Sequence, residues 1–274
     1  MDYQKIDRWQ NLSELKKLLD LSTPPKDLYF QGTWNSEIFA NCTAVVGSRK
    51  MTGYGATVVE KIIPQLIAQG QTVVSGFMYG VDQYAHQVCV EQGGKTIAVL
   101  GWGITHKLSG DDLKLAKKII DAGGLLLSEW EEQKPTHWTF PLRNRLVAAL
   151  CQEIIVVEAA EGSGSLITAR IAARLKKTVW AVPGPITSRT SRGTNHLIAE
   201  GKAKVWLGQS SVQLPLAQGS DPLLQILENE ALSADELVRK LNLAVSEIGA
   251  KLSILLLSGQ IIEKGGKYYL SDAS

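Results

Sequence analysis

Short apolar runs alternate with amphipathic segments along most of the chain. Six short apolar runs, most of them containing β-branched residues, predict strands at Thr43–Val46, Thr72–Ser75, Thr96–Leu100, Leu125–Ser128, Ile154–Glu158 and Thr178–Val182. Between most of them, apolar residues at helical spacing predict helices, over Tyr54–Ala68, Val81–Val90, Leu113–Asp121, Leu142–Leu150 and Leu166–Leu175. Strands that are apolar on both faces and alternate with helices indicate an α/β fold with a doubly wound parallel sheet.

The two ends of the chain have different patterns. Residues 1–30 predict a short N-terminal helical segment, with apolar residues at helical spacing from Trp9 to Leu19, and Leu28–Gly32 is expected to form a strand or turn. Residues 31–207 hold the alternating pattern. Residues 208–220 are polar and contain Gly and Pro, so they predict a linker.

Residues 221–274 predict a separate winged-helix-like domain. Ser233 and Glu236 form a capping box, and Asp221 is expected to cap the first helix. The predicted elements are helices over Pro222–Asn229, Glu236–Leu241 and Val245–Leu257, then a hairpin over Ile261–Leu270. Such modules often bind duplex DNA through the third helix. Here that helix carries one Lys and one Glu, so protein contact or a structural role is slightly favoured over duplex binding.

One central segment combines two helix starts that attract anions. Pro141 suits the first position of a helix, which puts Arg143 and Arg145 in its first turn. Cations there are unfavourable unless an anion neutralises them, because the positive end of the helix dipole lies nearby. The next helix starts at Gly162–Ser165, whose backbone N–H groups suit a second anion. The pair predicts a polyanion or a phosphate ester as ligand.

Four predicted strand ends continue into glycine-containing loops, which are Gly47–Arg49, Ser75–Gly76, Gly101–Gly103 and Gly162–Ser165. Ligands of doubly wound sheets bind at these carboxyl ends. A single glycine there often only makes a tight turn, but four loops together favour a crevice lined for phosphate. The first loop has neither the dinucleotide-binding spacing nor the P-loop pattern, so NAD binding and nucleotide hydrolysis are disfavoured.

Composition adds limits rather than a function. The 274 residues are 45% hydrophobic and 20% charged with a net charge of +2, so any basic surface must be local. The three cysteines have no metal-ligand spacing and are expected to be buried and reduced. No signal peptide or membrane-spanning run is evident, so we expect a cytoplasmic protein. No metal or cofactor is predicted.

These residues together resemble the DNA-processing protein DprA (Smf) family over roughly residues 28–206. The matching segments include Ala44–Arg49, Val73–Gly76, Thr96–Gly101, Phe140–Arg145, Ser163–Ala169, Ala181–Gly184 and Ser191–Asn195. The resemblance implies an extended Rossmann fold that forms homodimers and binds single-stranded DNA. It implies no enzymatic activity, and a role in protecting incoming DNA and loading a RecA-type recombinase during natural transformation.

The same resemblance implies a set of DNA-binding residues, which are Gly47, Ser48, Arg49, Gly76, Phe140, Arg143, Asn144, Arg145, Ser163, Gly164 and Ser165. The chain departs from the family pattern at Tyr79, where an Arg is common, and over residues 104–110. These departures concern the rim of the expected pocket.

The expected roles follow from residue type and spacing. Arginines and loop N–H groups would hold phosphates, and Phe140 would stack a base unless it only packs at the helix start. Arg143 and Arg145 are two residues apart and point to different sides of a helix. Arg143 is the favoured ligand contact, which leaves Arg145 to anchor the neighbouring helix, Glu129 or Glu158. Asp82 and His86, one turn apart, predict a local hydrogen-bonded pair.

Two other functions stay open on the same fold. Nucleotide phosphoribohydrolases have a similar fold, but their loop ends in a working carboxylate where this chain has Arg170. A nucleotide-binding sensor with the winged helix as its output is the other alternative. For self-association, Gly193–Leu197 and the following helix are the candidates, on their position in the fold alone.

Overall fold

The computed structural model describes residues 2–208, 222–227, 230–241, 243–257 and 260–270. The chain divides into two compact units, residues 1–209 and residues 210–274.

Within the described part of the first unit, nine strands form one sheet in the order β1-β2-β6-β5-β4-β3-β7-β8-β9. The strands are β1 Tyr3–Lys5, β2 Tyr29–Gly32, β3 Cys42–Val46, β4 Thr72–Ser75, β5 Thr96–Val99, β6 Leu125–Ser128, β7 Glu153–Val156, β8 Thr178–Ala181 and β9 Lys204–Val205. The neighbouring strands from β6 across the sheet to β9 are all parallel. At the other edge, β2 pairs antiparallel with β6 and β1 pairs antiparallel with β2. The predicted doubly wound parallel sheet is confirmed.

Helices cover both faces of this sheet. They are α1 Gly53–Ala68, α2 Val81–Glu91, α3 Gly110–Asp121, α4 Thr139–Leu150, α5 Gly164–Arg174 and α6 Arg192–Ala199. Alternate residues of each strand point to opposite faces, so Ala44 and Val46 pack with the core under α4 and α5, and Val45 packs with the core under α1 and α2. The chain runs from β3 outward on one side and restarts at β7 on the other, which makes β3 and β7 the topological switch point.

The N-terminal segment differs from its predicted single helix. It forms strand β1 and two 3-10 helices, Trp9–Asn11 and Ser13–Asp20, separated by Leu12 in an extended conformation. Burial of Trp9, Leu15 and Leu18 against the core decides this shape, because so short a segment gains little from helix propensity alone. The strand expected within Leu28–Gly32 is present as β2 and extends the sheet.

The described residues of the second unit form three helices and a hairpin, the arrangement of a winged-helix domain. Its elements are α7 Pro222–Leu227, α8 Ala234–Leu241, α9 Val245–Leu257, β10 Ile261–Lys264 and β11 Lys267–Leu270. The predicted capping box is confirmed, since Ser233 N donates to Glu236 Oε2 (2.7 Å) and Glu236 N donates to Ser233 Oγ (3.4 Å). The cap expected from Asp221 and most of the predicted linker, residues 209–220, lie outside the described residues.

The expected burial of the three cysteines is confirmed by the structure. Cys42, Cys89 and Cys151 are buried free thiols, as predicted. No helix in the described parts of the chain is both long and apolar enough to span a bilayer.

Candidate nucleic-acid interface

A cavity of about 420 Å³ opens at the carboxyl ends of β3, β4 and β7, at the switch point of the sheet. Its walls come from five segments. They are Val46 of β3 with the loop 47–50, then Gly76, Met78 and Asp82 around the start of α2, then Phe140, Pro141, Arg143, Asn144 and Val147 of α4, then the loop 160–163 with Gly164, Ser165 and Thr168 of α5, and finally Arg189 and Thr190 after β8. Gly101–Gly103 stays outside the lining, but a Cβ on Gly101 would be 2.6 Å from Phe140 Cδ1.

All the candidate residues except Arg145 line this cavity. The sequence interpretation missed the cations Lys50 and Arg189, and the side chain of Thr190. Lys50 follows Arg49 directly, and Arg189 lies in the loop after β8. Ligands of such sheets bind at the carboxyl ends of the strands, and the loop with Arg189 follows the carboxyl end of β8, so its position in the sequence could have identified it.

Helix α4 begins at Thr139, earlier than predicted. Thr139 Oγ1 donates to Thr136 O (2.9 Å) and accepts from Thr136 N (3.1 Å), which fixes the turn before the helix. Pro141 is therefore the third helical residue, and Arg143 and Arg145 lie in the second turn. The expectation that Arg143 and Arg145 occupy the first turn is wrong, and each arginine has protein partners.

Arg143 lies in the cavity floor with only 2% of its surface exposed. Its Nη1 donates to Val99 O at the end of β5, and its buried Nε has no hydrogen-bond partner among the described residues. Burial lowers the pKa of Arg143 to about 10, an effect that Asp82 opposes. Arg143 is a floor cation rather than an exposed side chain, and its direct contact with a ligand stays a prediction.

Asp82 faces Arg143 across Gly76. A Cβ built on Gly76 would lie 2.2 Å from Asp82 Oδ2 and 2.5 Å from both Nη atoms of Arg143, so only glycine fits between them. Burial raises the pKa of Asp82 to about 6, and the Arg143 charge opposes that rise. The floor of the cavity is therefore an Asp–Arg pair packed on bare backbone.

Arg145 points away from the cavity. Its two Nη atoms donate to the Glu129 carboxylate at 2.7 and 2.6 Å, and its Nε donates to Thr23 O at 2.9 Å. The anchoring role that spacing left open for one arginine belongs to Arg145, with Glu129 as its partner. The structure does not bring Arg145 to the cavity that the other candidate residues share.

Phe140 and Arg49 form the mouth of the cavity. The exposed Arg49 guanidinium carbon lies 5.2 Å from the centroid of the half-buried Phe140 ring. Trp102 supports that ring edge-on at 6.1 Å between centroids. Phe140 is thus fixed by core packing on one side and reaches the cavity on the other, and its role in stacking a base stays a prediction.

The start of α5 supplies the opposite wall. Ser163 is the N-cap, and its Oγ accepts from Ser165 N at 3.4 Å. Asn144 Nδ2 donates to Gly164 O at 3.1 Å, which joins this loop to α4. The unpaired N–H groups of the first helical turn and the helix dipole favour an anion at this wall.

Glu158, a buried carboxylate at the end of β7, joins two further walls. Its oxygens accept from Thr52 N (2.9 Å), Thr52 Oγ1 (2.6 Å) and Thr190 Oγ1 (3.1 Å). These bonds tie the loop that carries Arg49 and Lys50 to the loop that carries Arg189. The positions of the exposed cations therefore depend on a residue that does not itself line the cavity.

His86 is not paired with Asp82, so that expectation is wrong. Its Nε2 donates to Gly76 O (2.6 Å), and its Nδ1 lies 2.7 Å from Thr96 Oγ1, a hydroxyl that itself donates to Val73 O (2.7 Å). Burial lowers the pKa of His86 to about 4, which keeps the ring neutral. The residue fixes the Gly76 backbone from beneath.

Within the stretch predicted for self-association, Gly193 and Leu197 are buried inside the first unit, whereas His196 is exposed, and a role of this stretch in self-association stays a prediction. Gly193 packs against Ala159, where a Cβ would lie 2.7 Å from the Ala159 carbonyl oxygen, and Leu197 is buried in the core. In the described parts of the chain, no group of three or more His, Cys, Asp or Glu side chains is placed to hold a metal ion.

These features define a Rossmann-like α/β protein with a basic cavity at its switch point and a winged-helix module. The chain belongs to the DNA recombination-mediator protein A family, whose family model matches residues 10–214. A second family model, the DprA winged helix domain, matches residues 210–267. The resemblance to the DprA/Smf family is confirmed.

Curated relatives agree with this assignment. The chain is 39% identical over 211 residues to DNA processing protein DprA of Streptococcus pneumoniae, covering 76% of this chain and 74% of that protein. It is 34% identical over 192 residues to DprA of Bacillus subtilis, covering 70% of this chain and 64% of that protein. Protein Smf of Escherichia coli is 31% identical over 92% of this chain and 73% of its own length. The chain thus spans about two thirds to three quarters of these relatives.

Two solved structures share the fold. DprA of Streptococcus pneumoniae matches with a TM-score of 0.67 and 35% identity over 76% of this chain and 72% of that one. DNA processing protein A of Helicobacter pylori matches with a TM-score of 0.65 and 28% identity over 75% of this chain and 91% of that one. The Helicobacter structure describes a single-stranded DNA binding mode of that protein.

Proposed function

We propose that this chain binds single-stranded DNA, without strong sequence preference, in the cavity at the switch point. The observation that carries the proposal is the mouth of the cavity, where exposed Arg49 lies against the accessible ring of Phe140. Single-strand sites combine cations for the backbone with aromatic rings for the bases. The single-stranded DNA binding mode described for the Helicobacter relative supports the same ligand.

The charges around the cavity suit a phosphodiester chain. Arg49, Lys50 and Arg189 are exposed at its rim, and the start of α5 adds backbone N–H groups. Of the two lining carboxylates, Asp82 is opposed by Arg143, which leaves Glu161 as the exposed anion. The balance at the rim is therefore positive, although the net charge of the chain is only +2.

A base must displace Arg49 from the Phe140 ring in order to stack there. An exposed cation–π contact contributes about 0.5–1 kcal/mol. Stacking of a base on an aromatic side chain contributes about 1–3 kcal/mol. The exchange is favourable, and it frees the guanidinium of Arg49 to bind the adjoining phosphate.

The wider role follows from family membership. In this role the protein would protect incoming DNA and help to load a RecA-type recombinase during natural transformation. It would act as a homodimer that binds DNA without catalysing a reaction on it. A cytoplasmic location is supported by the three free cysteines, since reduced thiols persist there.

Fluorescence polarisation with labelled oligonucleotides tests the proposal. Single strands should bind more tightly than duplex of the same length, and affinity should fall as salt rises because counterions are released. Phe140→Ala should weaken binding by about 5- to 150-fold, the equivalent of about 1–3 kcal/mol, and Arg49→Ala should weaken it too. Arg174→Ala is the matched control, because Arg174 is exposed at the far end of α5. Equal binding of duplex, or wild-type affinity in both cavity variants, would refute the proposal.

One observation supports a second candidate, a nucleotide phosphoribohydrolase. Asp82 lines the cavity with a pKa of about 6, which suits a carboxyl group for acid–base work. The direct test is incubation of the protein with AMP followed by chromatography for free adenine. Release of adenine that Asp82→Asn abolishes would favour the enzyme, and a blank result in the presence of normal DNA binding would dismiss it.

A further inference from the structure

Trp138 lies in solvent to an unusual degree for its residue type. Its relative exposure is 48%, and it belongs to none of the apolar clusters formed by the described residues. Its contact is with Trp130, at 6.1 Å between ring centroids and an interplanar angle of 86°. The two indoles hold each other edge to face on the loop between β6 and α4.

This arrangement has no evident stabilising purpose. A tryptophan side chain contributes most to folding when its large apolar surface is buried. Here nearly half of Trp138 stays in water, and Trp130 packs against it rather than against the core. What the pair does provide is an oriented aromatic surface at a fixed place.

That place adjoins the cavity. Trp138 is the N-cap of α4, two residues before Phe140, and its carbonyl accepts from Leu142 N at 3.3 Å. Helix geometry puts Cα atoms two residues apart about 5.4 Å from each other, with side chains on different sides. Phe140 lines the cavity and Trp138 does not, so the start of α4 presents one ring to the cavity and a second, exposed ring outside it.

The charge of the loop that carries Trp130 and Trp138 indicates whether this loop would bind a base or a phosphate. Residues 130–138 contain Glu131, Glu132 and Lys134, for a charge of 1 − 2 = −1. The loop therefore offers no surplus cation to a phosphate, and any affinity gained at Trp138 must come from its ring.

We propose that Trp138, held in place by Trp130, is a second base-stacking platform that extends the single-strand track beyond the cavity. The inference rests on the proposed single-strand binding. One nucleotide stacks on Phe140 at the cavity, and a nucleotide that continues past the start of α4 stacks on Trp138. Since stacking does not depend on counterion release, the platform adds affinity without adding salt dependence.

Oligothymidylates of about 4 and about 16 nucleotides, the range of typical single-strand sites, test the proposal. Trp138→Ala should weaken binding of the long strand by about 5- to 150-fold and leave the short strand unchanged. Trp138→Phe should keep most of the affinity but lose most of the tryptophan quenching that the long strand causes. Arg49→Ala should weaken both lengths and reduce the salt slope. Leu19→Ala, which truncates an apolar side chain that is 46% exposed, serves as the control.

The outcomes distinguish the inference from the function on which it rests. If the wild type prefers single strands and Arg49→Ala weakens them, but Trp138→Ala binds both lengths normally, the platform is refuted and the function stands. A changed salt slope in Trp138→Ala, or a lower urea midpoint, would assign Trp138 to positioning the cavity and also refute the platform. If the wild type binds no single strand, both proposals fail.

Discussion

Substitution of Gly76 by alanine should damage the cavity floor with a single methyl group. The added Cβ would lie 2.2 Å from Asp82 Oδ2 and 2.5 Å from both Nη atoms of Arg143. Arg143 cannot move away easily, because it is anchored on Val99 O. The backbone of residue 76 cannot move away either, because its carbonyl is held by His86. Overpacking of a filled site costs about 1–3 kcal/mol. We expect the upper part of that range, since the methyl group would contact two charged side chains in the buried floor of the cavity.

Urea unfolding followed by tryptophan fluorescence measures this loss. All seven tryptophans lie within residues 1–209, so the signal reports the first unit alone. Gly53→Ala is the matched control, because Gly53 begins α1 and a Cβ there meets nothing within 4 Å. The control should be neutral or stabilised by up to about 1 kcal/mol. An unchanged urea midpoint for Gly76→Ala, or an equal loss in both variants, would refute the reasoning.

Three further perturbations test other parts of the site. The pKa of Asp82 is raised to about 6 in the folded protein, so folding favours the protonated form of this carboxyl group. Its contribution to the free energy of unfolding is complete below about pH 4 and is lost as the pH rises through about 6. Between about pH 4 and 6 the wild type should therefore lose stability relative to Asp82→Asn, by at most about 3 kcal/mol. Urea midpoints measured at several pH values check this, and no change relative to Asp82→Asn would contradict a raised pKa of Asp82. Arg145→Ala leaves the Glu129 carboxylate buried and unpaired, so it should cost about 3–5 kcal/mol of unfolding free energy. In polarisation assays below its unfolding transition it should keep near wild-type affinity for single strands, and a large selective loss of affinity would return Arg145 to the binding surface. Glu158→Ala removes the acceptor of three hydrogen bonds and should cost at least about 2 kcal/mol in the same unfolding assay while weakening DNA binding, whereas full stability would show that the two loops hold without it.

The sheet was predictable because its signal is local. Strands β3 to β7 are buried almost throughout, so each appears as a continuous apolar run, and β4 and β6 match their predicted bounds. The N-terminal segment was not predictable in this way. Its apolar spacing fits a helix, but burial of Trp9 and Leu15 in the first unit overrides that local preference.

The candidate site was predictable in location and less so in detail. Glycine loops at strand ends marked Gly47, Gly76 and Gly164, because parallel strands deliver their carboxyl ends to one edge of the sheet. The burial and the partners of Arg143 and Arg145 depend on contacts between segments that are distant in the sequence. Nothing near Arg143 in the sequence indicates Asp82 across Gly76, and spacing alone could not assign Arg145 to Glu129.

Photo-crosslinking tests the central claim most directly, namely that the single strand lies in the cavity of the first unit. An oligothymidylate with 5-iodouracil at each position in turn would be irradiated with the full chain, and the adducts mapped by mass spectrometry. We predict adducts at Phe140 that disappear in Phe140→Ala and are competed away by unlabelled single strand but not by duplex. Adducts confined to residues 222–270, with none on the loops that line the cavity, would contradict the account.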